Sequence, residues 1–258
     1  MSVMNSLSAE FDLALMITRT FRVIRRSLPV FTALTLFLYG LPLLGKTVAH
    51  MLHASLPVWP GAVFSATSAL YALAAALGYF ALQAAVVHAT VSELDGRPAG
   101  LIASLRTGVN FFLPILGLCL LICIPVAFGF VLLYIPGAYL VSMWLVAIPA
   151  LVIERQGITQ SLSRSTKLTE GFVWPIVGLV TIFLLTSWLF SHVLSTFGNA
   201  FDHISVLGYV PHYATELAQD LFRAIAAMVG SVGATVVYAE LRRIKEGVEP
   251  EELSEAIY

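Results

Sequence analysis

Three charged residues in the last quarter of the chain have the spacing of one helical face. Glu216, Asp220 and Arg223 stand at positions i, i+4 and i+7, so on an α-helix they lie one above another. An ionisable residue at membrane depth indicates a functional site by default, here a head-group site or a polar pathway. The alternative is a surface turn outside the membrane whose charges face water.

Three glutamates, Glu93, Glu154 and Glu240, each close a long apolar segment and precede basic residues. They could form a ring of carboxylates at one mouth of a helical bundle. Alternatively, each could pair with a nearby arginine or cap the next helix N-terminus, where a negative charge is favoured. The basic neighbours available for such pairing are Arg97, Arg155, Arg242 and Arg243.

Basic residues cluster just before the apolar segments. On the first segment Arg19, Arg22 and Arg26 share one helical face, as in helices that lie in the membrane interface with arginines toward anionic head groups. Each such residue contributes ~1 kcal/mol near an anionic surface. The alternative is that they only fix orientation and solvate a linker. The predicted lipid contacts are Arg19, Arg22, Arg25, Arg26, Arg106, Arg164 and Lys167.

The histidines and cysteines predict no metal site and no disulfide. Histidines at 50, 53, 203 and 212 fall in predicted outer loops without compact ligand spacing, and are read as exposed or as a pH-sensitive patch. His88 is expected to bond a neighbouring group, and Cys119 and Cys123 to aid helix packing. No nucleophile elbow, phosphate-binding loop or metal signature occurs, so we predict no catalytic residue and no cofactor.

The composition decides which elements position these side chains. Of 258 residues, 59% are hydrophobic and only 11% are charged, and the mean hydropathy is +0.89. Soluble domains carry roughly 25% charged residues. The composition therefore excludes a soluble enzyme, a disordered chain, a disulfide scaffold and a nucleic-acid binder, and it indicates a polytopic membrane protein.

Six apolar segments are long enough to span a bilayer, which takes about 20 residues. An even number of spans places both termini on one side. Twelve arginines and lysines fall on that side and only Lys46 and Arg223 on the other, so the termini are predicted to be cytoplasmic. The predicted spans are 28–48, 62–91, 111–133, 138–153, 172–194 and 221–241.

The cytoplasmic connections repeat. Residues 91–118 shifted by 61 positions lie on residues 152–179 without a gap, and such self-similarity indicates repeated structural units. The matched pairs are Val91/Val152, Glu93/Glu154, Gly96/Gly157, Leu101/Leu162, Ser104/Ser165, Phe111/Phe172, Pro114/Pro175, Ile115/Ile176, Gly117/Gly178 and Leu118/Leu179, with the charge kept at Arg106/Lys167.

The predicted fold is therefore an all-α polytopic membrane protein with six transmembrane helices in three hairpins, each preceded by a cytoplasmic amphipathic helix. A proline suits the first turn of each outward helix, because its missing N–H leaves no bond unmade there. The whole chain, 1–258, forms one membrane domain. Its predicted parts are an interfacial helix (1–27), hairpin one (28–91), an interfacial helix with hairpin two beginning near 111 (92–153), an interfacial helix with hairpin three (154–241), and a cytoplasmic tail (242–258).

Two stretches carry a family resemblance. They comprise Tyr134-Ile-Pro-Gly137, Trp144, Pro149 through Glu154, Gly157, Ser161 to Ser165, Leu168, Gly171 and Trp174, and then Val237-Tyr238-Ala239-Glu240-Leu241-Arg242 with Lys245 and Gly247. From about residue 20 the chain resembles a bacterial inner-membrane family named after the membrane domain of glycerophosphoryl diester phosphodiesterases, to which a small envelope protein of enteric bacteria is similar. The resemblance implies six helices, a bacterial inner membrane and an envelope role. Because the chain stops at Tyr258, we expect no catalytic phosphodiesterase domain.

The leading functional prediction is a non-enzymatic inner-membrane protein. It would engage anionic phospholipid or partner proteins, further copies of itself among them, through its basic cytoplasmic belt. The alternative is a transporter or channel for a small or lipid-like solute through Glu216, Asp220 and Arg223. A membrane-embedded phospholipid enzyme is a third hypothesis, which rests only on the family resemblance.

Overall fold

The computed structural model describes residues 13–55, 61–204 and 210–247, and within these ranges all regular structure is helical. The first six segments are α1 (Leu13–Arg26), α2 (Leu28–Thr35), a π-helical turn (Leu36–Gly40), α3 (Leu41–Ser55), α4 (Gly61–Leu94) and α5 (Leu101–Leu132). The remaining five are α6 (Tyr134–Met143), α7 (Ala147–Glu154), α8 (Ile158–Thr169), α9 (Val173–Ile204) and α10 (Val210–Glu246).

Six helical stretches in the described ranges are long and apolar enough to cross a membrane, which confirms the predicted all-α fold and its number of spans. Several exceed the predicted bounds, because the helices continue into the flanking polar residues. The stretches are Leu28–His53, Val63–Leu94, Leu101–Leu132, Tyr134–Glu154, Val173–Gly198 and Ala214–Glu246.

The segment predicted as a separate interfacial helix before hairpin two is instead continuous with the third span. A single helix runs from Leu101 through Pro114 to Leu132. In the third unit, by contrast, α8 ends at Thr169 and α9 begins at Val173, with Gly171 at φ +88° between them. The 61-residue shift places Asn110 opposite Gly171, and glycine adopts positive φ at less cost than asparagine does. Asn110 stays helical, so the break is missing.

The N-terminal helix α1 packs along α10 and is joined to the first span by a turn at Ser27. It buries Met16, Thr20, Val23 and Ile24 against the bundle. Pro29 lies in the first turn of α2, where its missing N–H breaks no helical bond. Burial of these side chains fixes α1 against the end of the spanning helices.

The interior is densest around α7, whose residues from Ala147 to Ile153 are nearly all buried. At the other side of the bundle α4 approaches the first span at Gly78. A Cβ at Gly78 would lie 1.7 Å from the carbonyl oxygen of Leu38 in the π-helical turn. Only glycine allows this approach, and small residues serve the same purpose between membrane helices generally.

Large apolar side chains cover the outside of α5 and α9. Ile124, Val131, Ile182 and Trp188 are each more than half exposed. A water-soluble protein rarely exposes contiguous apolar surface of this extent. The outward faces therefore match a lipid environment, as the six apolar spans do.

Candidate functional site

The three glutamates of the sequence repeat lie at one end of the bundle, hereafter the charged end, and each is held by an arginine. Glu240 is 2% exposed. Its Oε2 accepts a hydrogen bond from the guanidinium of Arg19 at 2.5 Å, and its Oε1 accepts from Arg243. This pair ties α1 to α10, because Arg19 and Glu240 belong to those two helices.

Glu93 closes α4 and is buried against the turn between α1 and α2. Its Oε1 accepts hydrogen bonds from the hydroxyl of Ser27 and from the backbone N–H of Ala99 at 3.2 Å. The Arg26 guanidinium lies 3.4 Å from its Oε2. The carboxylate thus joins the first turn of the bundle to the loop that leads into α5.

Glu154 closes α7 and is the centre of the most extensive polar cluster at the charged end. Its Oε1 accepts from the Arg164 guanidinium at 2.7 Å and from the buried Tyr238 hydroxyl at 2.7 Å. Its Oε2 accepts from the side-chain amide of Gln156 at 2.8 Å. Three helices, α7, α8 and α10, therefore meet at one carboxylate.

Arg164 extends this cluster to the end of α10. A second nitrogen of its guanidinium lies 2.6 Å from Glu246, whose other oxygen accepts from Arg242 at 2.9 Å. Although partial burial alone would lower the pKa of Arg164, hydrogen bonds to Glu246 and Glu154 raise it above its usual value. The guanidinium is thus a permanent cation held between two carboxylates.

The seven predicted lipid-contacting residues consequently divide into two groups. Arg19, Arg26 and Arg164 form ion pairs with the repeat glutamates. These pairs show that the glutamates bind arginines, but the partners differ from the expected neighbours except at Arg243. The second group is exposed and, among the described residues, makes no ion pair: Arg22, Arg25, Arg106 and Lys167.

Exposed apolar side chains accompany the exposed arginines on α1. Ile17 and Phe21 are solvent-accessible on the helix that carries Arg22 and Arg25. At 100° per residue the helix presents a buried stripe, then this apolar stripe, then the basic one. Such an arrangement suits a helix at a membrane surface, with apolar residues toward the acyl chains and arginines toward head groups.

An open cleft of about 580 Å³ lies beside the Glu154 cluster. Its walls come from the end of α7, from α8 and from the end of α10. The residues that line it are Glu154, Gln156, Gln160, Ser163, Arg164, Lys167 and Arg242.

At the opposite end, the predicted polar face is present on α10. Asp220 is 5% exposed, and its Oδ1 accepts from Arg223 at 2.9 Å. Its Oδ2 is buried and makes no hydrogen bond among the described residues. Tyr39 of the π-helical turn lies within electrostatic range of both charges, and Glu216 lies 4.0 Å from His50.

The histidines of the predicted outer loops that the structure describes contact neighbouring side chains. His50 contacts the Ser68 hydroxyl at 3.1 Å, and His53 stacks on Phe64. The side chains of His203 and His212 lie outside the described residues. No group of three or more His, Cys, Asp or Glu side chains in the described part of the chain could hold a metal ion.

His88 and the two cysteines lie within the helical bundle. His88 is buried and contacts the Ser104 hydroxyl at 3.2 Å, as expected for a histidine that bonds a neighbour. Cys119 and Cys123 are both free thiols on α5.

Two polar residues at the charged end were not predicted. Tyr238 and Ser27 donate directly to Glu154 and Glu93. The sequence offers a weak signal for Tyr238, because it stands two residues before Glu240 in the otherwise apolar run 236–239. Ser27 has none, since its partner lies 66 residues away.

No family model matches the chain, and neither the curated proteins nor the solved structures include a significant match to it.

Proposed function

We propose that this chain is a non-enzymatic integral membrane protein that binds anionic phospholipid at the charged end of its bundle. Its role would lie in envelope or membrane homeostasis. The observation that supports this most is the surface of α1, where Arg22 and Arg25 are exposed beside Ile17 and Phe21. Exposed arginines next to exposed apolar residues are what a helix at an anionic lipid surface requires.

The anchoring of α1 adds to this argument. The pair between Arg19 and Glu240 and the burial of Met16 hold the helix against the ends of the spanning segments. A helix fixed at that level loses little further backbone freedom when lipid binds, so the positions of its exposed arginines on the surface are already set. In this proposal the charged end is cytoplasmic, because basic residues favour that side, and the membrane is the bacterial inner membrane.

Native mass spectrometry in mild detergent, with phosphatidylglycerol added, tests the proposal. The variant Arg22→Gln/Arg25→Gln removes two near-surface charges worth ~1 kcal/mol each. We expect its lipid affinity to fall about 30-fold. Arg22→Lys/Arg25→Lys keeps both charges and should retain most of the binding. Unchanged lipid retention in the glutamine variant would contradict the part of the α1 surface in lipid binding.

Transport through the opposite end is a second candidate, which one observation favours. Asp220 is a buried carboxylate with one oxygen unpaired among the described residues, and it lies near the π-helical turn through Tyr39. Isolated π turns occur frequently at functional sites. Buried acids in membrane helices commonly belong to ion or proton pathways.

Proton flux into vesicles that contain the purified chain tests this candidate, with a pH-sensitive dye trapped inside. We expect the wild type to dissipate an imposed pH gradient and Asp220→Asn, which keeps the side-chain shape, to lose that activity. Lys167→Gln, at the charged end, serves as a comparison that leaves the Asp220 region intact. Wild-type flux equal to that of empty vesicles would exclude a proton pathway.

A further inference from the structure

The cleft between α7, α8 and α10 has the chemistry of an oxyanion site. Three of its seven lining residues are basic, namely Arg164, Lys167 and Arg242, and one is acidic, Glu154. Counting Glu246 as well, which bonds both arginines, the cluster still carries one excess positive charge. Its volume of about 580 Å³ is ample for a phosphate group with a small substituent.

The two guanidinium groups are held in place with donors to spare. Arg164 uses Nε and one terminal nitrogen for Glu154 and Glu246, and Arg242 uses Nε for Glu246. A guanidinium has five N–H donors. Within the described part of the chain, both therefore keep N–H groups for a ligand in a geometry already fixed by the carboxylates.

Glu154, the acidic residue that lines the cleft, repels a bound anion only weakly. Both oxygens of Glu154 already accept hydrogen bonds, Oε1 from Arg164 and Tyr238 and Oε2 from Gln156. Its charge is thus compensated on the inner side. A phosphate that entered the cleft would meet the outer edge, where Lys167 is exposed.

Neutral donors complete the outer edge. The Ser163 hydroxyl and the amide of Gln160 line the cleft, and Gln160 is fixed because its Oε1 accepts from the backbone N–H of Gly157 at 2.9 Å. Lys245 donates to the backbone carbonyl of Lys167 at 2.6 Å. This bond ties the end of α10 to α8 next to the cleft.

The position of the cleft relative to the ends of the apolar spans indicates that a phosphate bound there would belong to a lipid. Glu154 and Glu246 are the last residues of two spans, so the cleft lies where the apolar surface ends. Trp174, just beyond α8 in the chain, is 67% exposed, and exposed tryptophans concentrate at membrane–water interfaces. Phospholipid phosphates lie at that depth.

We propose that this cleft is a specific site for the phosphate of one anionic glycerophospholipid per chain. Arg242 and Arg164 bind its oxygens with their remaining N–H groups, and Lys167, Ser163 and Gln160 close the outer edge. The inference rests on the proposed function and adds a defined site to it, distinct from the α1 surface around Arg22 and Arg25.

The test compares two variants, each of which loses one basic residue. The two residues occupy matched positions of the sequence repeat. Lys167→Gln removes the ammonium from the cleft. Arg106→Gln removes a charge at the position 61 residues earlier, which is exposed and does not line the cleft. Purified variants in nonionic detergent are titrated with phosphatidylglycerol, with inorganic phosphate and with glycerol 3-phosphate, and bound molecules are counted by native mass spectrometry.

We expect one tightly held phosphatidylglycerol per wild-type chain. Lys167→Gln should bind it about fivefold more weakly, the effect of ~1 kcal/mol per near-surface charge, and Arg106→Gln should leave this one molecule bound as in the wild type. Equal weakening in the two variants would overturn the proposal, since it would reflect net charge alone. Binding of inorganic phosphate as tight as that of the lipid would overturn the assignment to a lipid phosphate.

Failure of this site is distinguishable from failure of the proposed function. If Lys167→Gln holds lipid like the wild type while Arg22→Gln/Arg25→Gln loses it, lipid engagement stands and the cleft site is wrong. If neither variant changes lipid retention, both proposals are wrong.

Discussion

At the scale of single residues, the arginines of the charged end fall into two groups. Some form ion pairs with glutamates, and the others are exposed and could contact a ligand. A carboxylate taken out of water must be paired and hydrogen-bonded, or it becomes costly. Glu93 and Glu240 are buried, and arginines from α1 compensate them. Sequence spacing puts Arg19 and Arg22 on one face, yet only the contacts show that Arg19 is committed to Glu240.

Glu240→Gln should therefore destabilise the protein while Arg22→Gln should not. The glutamine keeps the shape but leaves Arg19 and Arg243 without their counter-charge, and charge-assisted hydrogen bonds are worth about 1.5–3 kcal/mol. We expect a loss of about 2 kcal/mol in the free energy of unfolding, seen as a lower midpoint of thermal unfolding in detergent. Equal midpoints for the two variants would contradict the structural role of Glu240.

At the scale of helices, segments that the sequence repeat matches closely differ in backbone conformation. Gly96 has φ +72°, whereas its counterpart Gly157 has φ −67° and caps the N-terminus of α8. The left-handed residue in the second copy is Arg155, at φ 51°. The chain thus turns at different positions after Glu93 and after Glu154, although these two glutamates correspond in the repeat.

Gly171→Ala tests the cause of the break between α8 and α9. Gly171 has φ +88° with no atom near its missing Cβ, so the cost of the alanine is conformational and not steric. We expect a loss of about 1 kcal/mol in unfolding free energy. Gly178→Ala is the matched control, because Gly178 lies within α9 and also has open space; it should be neutral or slightly stabilising. Thermal unfolding of both variants in detergent measures the difference, and equal midpoints would refute the role of the positive φ.

Apolar run lengths were enough to predict the helical class and the six spans, because a bilayer imposes a minimum length on each. They could not predict where helices join. The continuity of α5 through Pro114 depends on Asn110 remaining helical, and a matched proline at 175 stands beside a break. Nor could they predict the Glu154 cluster, whose members Arg164, Tyr238 and Glu246 come from distant parts of the chain. Tertiary packing decides such contacts.

At the scale of the whole molecule, the charges are strongly segregated. The three repeat glutamates and their arginines gather at one end of the bundle, and His50, Glu216 and the Asp220 pair lie at the other. Since cytoplasmic ends of membrane proteins retain arginine and lysine, this distribution predicts that the charged end faces the cytoplasm. The proposed lipid site and the polar face of α10 would then face opposite compartments.

Cysteine labelling tests that direction. With Cys119 and Cys123 replaced by alanine, Arg22→Cys reports on the charged end and Met51→Cys on the other, since both positions are exposed. We expect a membrane-impermeant maleimide to label position 51 in intact bacterial spheroplasts and position 22 only after lysis. The physical reason is that moving the charged end across the membrane would require transfer of most of the basic residues. Labelling of position 22 before lysis would reverse the orientation and place the proposed lipid site on the outer leaflet.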